Sequence, residues 1–531
     1  MKLPTDLIRM YKEIHGWVGI VAGLALFIAF YAGALTMFEE PLQRWASPPS
    51  TLAPAPSLER TPELVAKVKA AYPEAARGYE VNLVIDAAHP GRVSWRAPGG
   101  KRGEHGGGAT YFASLAKDGA LQVEKQQRSQ VANFIDVLHQ QVGLPLPHWL
   151  AMPIMGGISL LYVIAMISGI AVLLPSLVSD LFALRIGRNV KRMWLDLHNL
   201  LGLMSLPFHI IIALTAVVFA FHDEFYGAQR MAFSDAANRA RPLTRAEASI
   251  DGTPTITPIE IVQRLKEQAP GFTPHQIVYG QGGGILPALR VQGSDPRYGQ
   301  RGPTYGIAGL DPNTAQIIDR NYMPGMQDGW AATTTGLFTL HFGSFGGYPI
   351  RWTYFFMGLA GAFLFYTGNL LWVESRRKRE RRSGAVQQTR ATRILGALTA
   401  GVPLGCVAGI AVTLAAAKLL GPVATYGLHS AVYYSVFAAF TIWALVRGAA
   451  RAGQELCALG ALAMLSVPAA SIWGGKGLYD HPELVLVDMV ATLMAFALLL
   501  MASAARSRAL AGASDSVWSA LPSQPVPELA R

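Results

Sequence analysis

Four histidines, His15, His139, His198 and His341, stand at matched points of an internal repeat, each at the start of a hydrophobic stretch or just before one. A histidine in or beside a bilayer is costly unless it faces a partner, so a symmetric quartet of imidazoles is a candidate functional site. Two opposed imidazoles can sandwich a flat haem through its iron, and two such pairs hold two haems, one toward each leaflet. Zinc binding and proton relay are the competing chemistries for the same side chain. Gly19 and Gly202 follow His15 and His198 by one helical turn and remove bulk where a macrocycle would approach. His209 lies eleven residues after His198, about 16 Å along the same helix face. Its repeat-mate is Leu26, so symmetry does not account for it. It is either a further ligand or one polar group satisfied by a neighbouring helix.

The elements that must position these residues are membrane spans. The chain of 531 residues is 51% hydrophobic and only 15% charged, which places it in the membrane class. Stretches at Gly16–Phe38, Pro153–Leu174, Leu200–Phe221, Ile350–Val373, Ile394–Leu419, Ala424–Val446, Leu456–Trp473 and Leu484–Met501 are each long enough to cross a hydrocarbon core of about 30 Å. Basic clusters follow the even-numbered spans and precede the first, among them Lys2, Arg9 and Lys12, then Arg185 to Arg192, then Arg376 to Arg382. All fall on one side if the spans alternate, so both termini are expected in the cytoplasm. The net charge of +11 is then mostly a topology signal, with anionic lipid the expected contact and no sign of a nucleic-acid partner. The first span is too long for a signal-peptide core and is read as a retained anchor.

Two polar segments, Glu39–Met152 and His222–Tyr348, lie between spans on the opposite, external side. Each carries the same order of signals. The first predicts a helix at Thr61–Ala71, extended runs at Tyr79–Ile85 and Arg92–Arg96, and a hairpin over Thr110–Val123 turning at Lys117-Asp118-Gly119. The second predicts a helix at Thr257–Gln268, runs at His275–Tyr279 and Leu286–Val291, and a hairpin from Thr304 to Ile318. Two small α+β domains of one type are expected. The spans repeat in step: His15, Gly19 and Phe38 align with His198, Gly202 and Phe221, and His139, Pro147 and Gly156 with His341, Pro349 and Gly358, before the register slips by three residues at Gly169 against Gly368. Both units begin on the cytoplasmic side, so they are related by an axis along the membrane normal. That symmetry should oppose His15 to His198 near the cytoplasmic surface and His139 to His341 near the external one.

The cytoplasmic connections are too short for a dinucleotide-binding βαβ unit, and the glycine strings Gly99–Gly108 and Gly280–Gly284 lack its fingerprint. Cys406 and Cys457 are the only cysteines, which excludes a thiolate iron–sulfur cluster. An electron donor would have to be a separate cytoplasmic reductase or a membrane quinol.

The string Lys12-Glu13-Ile14-His15-Gly16-Trp17-Val18-Gly19, the run Asp196-Leu197-His198-Asn199-Leu200-Leu201-Gly202 leading to Leu206-Pro207-Phe208-His209, the Asp311-Pro312-Asn313-Thr314 hairpin and Thr339-Leu340-His341 resemble the PepSY-associated transmembrane family over about Met1–Arg382. The resemblance implies a bacterial inner-membrane reductase with two haems b, its electrons drawn from a cytoplasmic donor or quinol and passed to a ferric-siderophore in the periplasm. Iron(II) binds siderophores more weakly, so reduction would release it for uptake. Carried over by position, the ligands are drawn from His15, His198, His209 and His341, with His139 supplied by the repeat; no catalytic residue is implied beyond the haem centres. The first external segment departs from the pattern, with Ala116-Lys117-Asp118-Gly119 at its hairpin.

The expected architecture is mainly α: eight transmembrane helices, with duplicated two-helix units forming a four-helix haem bundle and four further C-terminal helices, plus two small α+β periplasmic PepSY-like domains. Its segments run 1–40 (first span), 41–150 (external domain 1), 151–222 (second and third spans), 223–348 (external domain 2), 349–382 (fourth span), 383–505 (four C-terminal spans) and 506–531 (cytoplasmic tail). A non-enzymatic scaffold or regulator of envelope proteases or signalling is the alternative function. A transporter is a third reading, favoured by parallel repeats and weakened by the lack of acidic residues in the first four spans.

Overall fold

The structure is a computed structural model that describes residues 4–97, 109–177, 190–232, 256–280, 287–382, 388–474, 482–512 and 516–521. The glycine string at 99–108, most of that at 280–284, and Arg185 and Arg188 lie outside the described residues. The chain divides into two compact units: residues 1–47, 129–220 and 354–531, and residues 48–128 and 221–353.

The first unit is helical. Among the described residues, seven helices are long and apolar enough to cross a membrane, and an eighth span is counted if one bent pair is taken together. They are Thr5–Thr36, His148–Leu173, Gly347–Arg382, Arg390–Leu420, Tyr426–Arg447, Ala449–Gly474 and Pro482–Ala511. The bent pair is the third expected span, which is broken at Ser205 into Lys191–Met204 and Leu206–Ala220 with a bend of 69°. The cause is local. Pro207 has no N–H to give the carbonyl four residues back and its ring crowds that carbonyl. The Ser205 hydroxyl donates to the Leu201 carbonyl at 2.6 Å, which loosens the preceding turn further.

Arg390–Leu420 is the central helix of the C-terminal group. Gly401, Gly405 and Gly409 line its contact with Tyr426–Arg447 so closely that an added Cβ would lie 2.8 Å from Ala444 Cβ, 3.1 Å from the Phe437 carbonyl and 2.9 Å from the Tyr433 ring. Small residues therefore set this helix spacing, as expected where hydrocarbon gives no hydrophobic drive between helices. A short helix, Val131–Gln140, packs Val131, Phe134 and Leu138 into the same membrane core, so the segment carrying His139 belongs with the spans rather than with the sheet-bearing unit.

The second unit holds strands β1 (Gly78–Asn82), β2 (Val93–Arg96), β3 (Thr110–Leu115), β4 (Leu121–Lys125), β5 (Thr273–Gly280), β6 (Leu289–Ser294), β7 (Gly306–Leu310) and β8 (Ile317–Tyr322). The two small domains expected from the repeat are in fact halves of one antiparallel sheet, ordered β4-β3-β2-β1-β5-β6-β7-β8. Each half alone would leave its first strand as an open edge of unpaired backbone groups. Pairing β1 with β5, in the register Val81 to Ile277, removes both edges at once. Tyr79 and Tyr279, directly opposite in this register, stack across the seam with centroids 4.7 Å apart and planes at 12°. Helices Thr61–Ala71 and Pro258–Gln268 supply Leu64, Val68, Ile261 and Leu265 to the sheet core. The second starts from a capping box between Thr257 and Glu260, the device its sequence advertises.

The loop between β1 and β2 turns on Asp86, which accepts from the backbone amides of Ala88 and His89 at 2.8 Å each. Burial alone would raise this carboxyl, but the His89 and Ala88 hydrogen bonds outweigh it and hold the group down to about 2. A carboxyl depressed on folding adds stability above its unfolded value, about pH 4, and loses it as pH falls toward the folded value. The thermal midpoint gap between the unmodified protein and Asp86→Asn should accordingly narrow as acid melts are run from about pH 4 down to about pH 2; a gap that is constant with pH would contradict the linkage.

Candidate functional site: a repeat-related pair of imidazoles

His15 and His198 meet inside the first unit, with ring centroids 6.1 Å apart and planes at 73°. His15 lies on Thr5–Thr36, and its Nδ1 faces the Ala165 carbonyl at 2.8 Å. His198 lies on the first limb of the bent pair, and its Nδ1 faces Thr367 Oγ1 at 3.0 Å. Thr367 in turn donates to the Leu364 carbonyl at 2.8 Å. Ser168 donates to the Ala165 carbonyl at 3.0 Å. With the register slip included, Ala165, Ser168 and Gly169 of one repeat therefore correspond to Leu364, Thr367 and Gly368 of the other.

The two glycines finish the cradle. A Cβ on Gly169 would fall 2.9 Å from His15 Cε1, and one on Gly368 would fall 3.4 Å from His198 Cε1. Each ring is thus seated against a bare stretch of backbone and held there by a hydrogen bond at Nδ1. Gly169→Val is expected to destabilise the protein by about 1–3 kcal/mol through overpacking. Gly157→Val, at a position with nothing within 4 Å, should be near neutral in the same thermal unfolding comparison.

Proton placement follows from these partners. A carbonyl oxygen only accepts, so His15 Nδ1 carries the hydrogen and Nε2 carries the lone pair. Thr367 gives its own hydrogen to Leu364, which makes it the acceptor for His198 Nδ1–H as well. His139, on Val131–Gln140, repeats the arrangement: its Nδ1 faces the Ala29 carbonyl at 2.8 Å, and a Cβ on Gly33 would lie 2.7 Å from it. His209 Nδ1 is 2.5 Å from the Tyr162 hydroxyl. His209 is 3% exposed, and its Nε2 is buried without a hydrogen-bond partner. The Phe30, Phe208 and Phe365 rings lie around it, with Phe30 nearest at 5.6 Å between centroids. His139 and His209 so reach the Thr5–Thr36 helix at the adjacent residues Ala29 and Phe30. His341 belongs to the second unit, on Gly329–Phe342, with its ring 5.8 Å from Phe342.

Fixing hydrogen on Nδ1 and leaving Nε2 free to coordinate is the usual second-shell arrangement of a metal-binding imidazole. The His15 and His198 centroids, 6.1 Å apart, would leave between them a span of the order of two metal–nitrogen bonds of about 2 Å each. Among the described residues, no group of three or more His, Cys, Asp or Glu is gathered at one point. A two-imidazole donor set suits an iron whose other positions are filled by a macrocycle better than a zinc ion, which takes three or four protein ligands. At Gly19 a Cβ would meet nothing within 4 Å, and at Gly202 only Leu364 at 3.6 Å. The residues present therefore fit haem.

Several contributors were not singled out by sequence: Tyr162, Ser168, Thr367 and the buried Asn369, whose side chain lies 2.8 Å from where a Cβ on Gly23 would sit. Gly169 and Gly368 were visible only as the point where the repeat slips; the slip is what brings each glycine under its own histidine.

No curated protein matches the chain. Residues 12–375, which cover both repeats and all five histidines, match the PepSY-associated TM region. The chain belongs to the PepSY-associated TM region family.

Proposed function

We propose that the protein is a bacterial inner-membrane oxidoreductase that holds haem b and passes electrons from a cytoplasmic donor or membrane quinol to a ferric-siderophore on the periplasmic side. The observation that supports it most is the opposition of His15 and His198, each with Nδ1 committed to an acceptor and Nε2 left to coordinate. Bound there, haem would supply a one-electron Fe(III)/Fe(II) couple. The chain's own contribution is to hold the two rings. The Ala165 carbonyl and the Thr367 hydroxyl orient them, and Gly169 and Gly368 let them seat. A second haem would draw on His209, whose buried Nε2 otherwise goes unpartnered, and on His139. Phe30, Phe208 and Phe365 keep water from His209, which favours coordination over solvation of that nitrogen.

The second unit, with its single sheet, is the proposed meeting surface for the chelated iron. Anaerobically reduced protein mixed with ferric chelates should reoxidise, with one Fe(II) trapped by a ferrous-specific chromophore for each electron lost. Reduced protein that keeps its electrons in the presence of every ferric chelate tested would contradict the reading.

A further inference from the structure

The C-terminal spans carry a buried acid that nothing in the redox reading uses. Asp488 lies on Pro482–Ala511 and is 7% exposed. Its Oδ1 accepts from Trp45 Nε1 at 3.2 Å and from Ser471 Oγ at 3.0 Å. Its Oδ2 is buried without any hydrogen-bond partner. A carboxylate inside a span is expensive and marks function by default, most of all when one oxygen is left empty.

Three elements aim this carboxylate: Glu39–Ala46 through Trp45, Ala449–Gly474 through Ser471, and its own helix. Both donors go to one oxygen, so the other is held pointing away from them. The nearby cation does not take it up: Lys418 Nζ donates to the Trp45 carbonyl and sits 5.0 Å from the Trp45 ring centroid. The membrane is close on the chain. Ile472 and Trp473, next to Ser471, are 76% and 87% exposed, and Met489, next to Asp488, is 52% exposed.

We propose that Asp488 Oδ2 is the acceptor for a hydroxyl of a membrane hydroquinone, which makes this end of the C-terminal bundle a quinol-binding site. The inference rests on the electron-transfer reading and names its donor. The chemistry selects the ligand in three steps. A vacant carboxylate oxygen calls for a donor, and a hydroxyl supplies one. The exposed apolar side chains next to Ser471 and Asp488 along the chain, Ile472, Trp473 and Met489, call for an apolar tail. Lys418 disfavours the ammonium of a phospholipid headgroup, which would otherwise be the competing donor. The Trp45 indole, held by Lys418 on its carbonyl and ring and by Asp488 on its N–H, fixes the orientation of the carboxylate.

The test uses the full-length protein in phosphatidylcholine nanodiscs, titrated anaerobically with a decyl-substituted dimethoxy-methyl-hydroquinone and with its dimethyl ether, which keeps the ring and tail and has no hydroxyl donor. The unmodified protein should bind the hydroquinone roughly tenfold or more tighter than the ether, the equilibrium equivalent of one hydrogen bond to a charged group. In Asp488→Asn the amide oxygen must stay toward Trp45 and Ser471, which turns its N–H₂ toward the ligand hydroxyl; the preference should drop to about threefold or less. Equal affinity of the unmodified protein for the two compounds overturns the proposal without recourse to any variant, and so does a correctly inserted Asp488→Asn protein that keeps the preference. Visible spectra of the same samples separate the two readings. Colourless protein that still discriminates the ligands removes the haem reading and leaves this site standing, whereas haem-loaded protein that binds both alike does the reverse.

Discussion

Purified His198→Ala protein is expected to carry roughly one haem equivalent fewer than the unmodified protein, with the same loss in His15→Ala. The two ring centroids lie 6.1 Å apart, so either substitution would remove one of the two imidazoles proposed to hold the same iron. The double variant should therefore lose no more than either single one, a non-additivity expected only of residues that act as one unit. The effect is separable from misfolding. His198 is held by its hydrogen bond to Thr367, and losing a bond of that kind removes about 0.5–1.5 kcal/mol of local interaction. Monodisperse elution and an unchanged helical signal should accompany the lost colour. Unchanged haem content in both single variants would break the ligand assignment, and additive losses would place the two histidines on different groups.

Trp95→Ala should have the largest effect on stability. Trp95 is 1% exposed at the centre of β2, stacked on Tyr111 at 5.6 Å and packed against Tyr72 at 5.0 Å. Truncating a buried tryptophan costs about 3–5 kcal/mol. The reach of the damage is the sharper prediction. Since β1 pairs with β5 and both halves share one hydrophobic cluster, amide protection should fall in β6 and β7 as well as in β1 to β3. Hydrogen exchange followed by mass spectrometry would show it. Loss of protection confined to residues 78–125 would mean that the halves fold separately, as the repeat in the sequence first suggests.

Much of this organisation was legible in the chain. The strands fall within a few residues of the runs read from alternation and turn residues, because Lys117-Asp118-Gly119 and Asp311-Pro312-Asn313-Thr314 can do little but turn: Gly119 adopts a positive φ of 82°, and Asp311 accepts from the Asn313 and Thr314 amides at 2.9 and 2.8 Å. The proximity of His15 to His198 was legible too, since a parallel repeat brings equivalent residues to a common axis. The joining of the two sheet halves was not. Alternation shows which face of a strand is buried, but the partner at its edge is chosen by backbone groups that every sequence shares. The Nδ1 partners escaped for a similar reason: the Ala165 and Ala29 carbonyls belong to residues whose side chains carry no signal. The break at Ser205 had its cause in plain view at Pro207, yet hydropathy alone runs smoothly through it. Asp488 is the opposite case, a single acid in an apolar run whose meaning appears only when Trp45, more than four hundred residues earlier in the chain, is found on one of its oxygens.

The central claim is that opposed imidazoles of a duplicated segment grip an iron porphyrin, and the most direct measurement is the visible absorption spectrum of the full-length protein purified from haem-replete cells, recorded oxidised and after dithionite. A Soret band that shifts on reduction, with sharp bands at longer wavelength characteristic of six-coordinate bis-histidine iron, is the expected result. A protein that is folded, monodisperse and colourless in both states would contradict it.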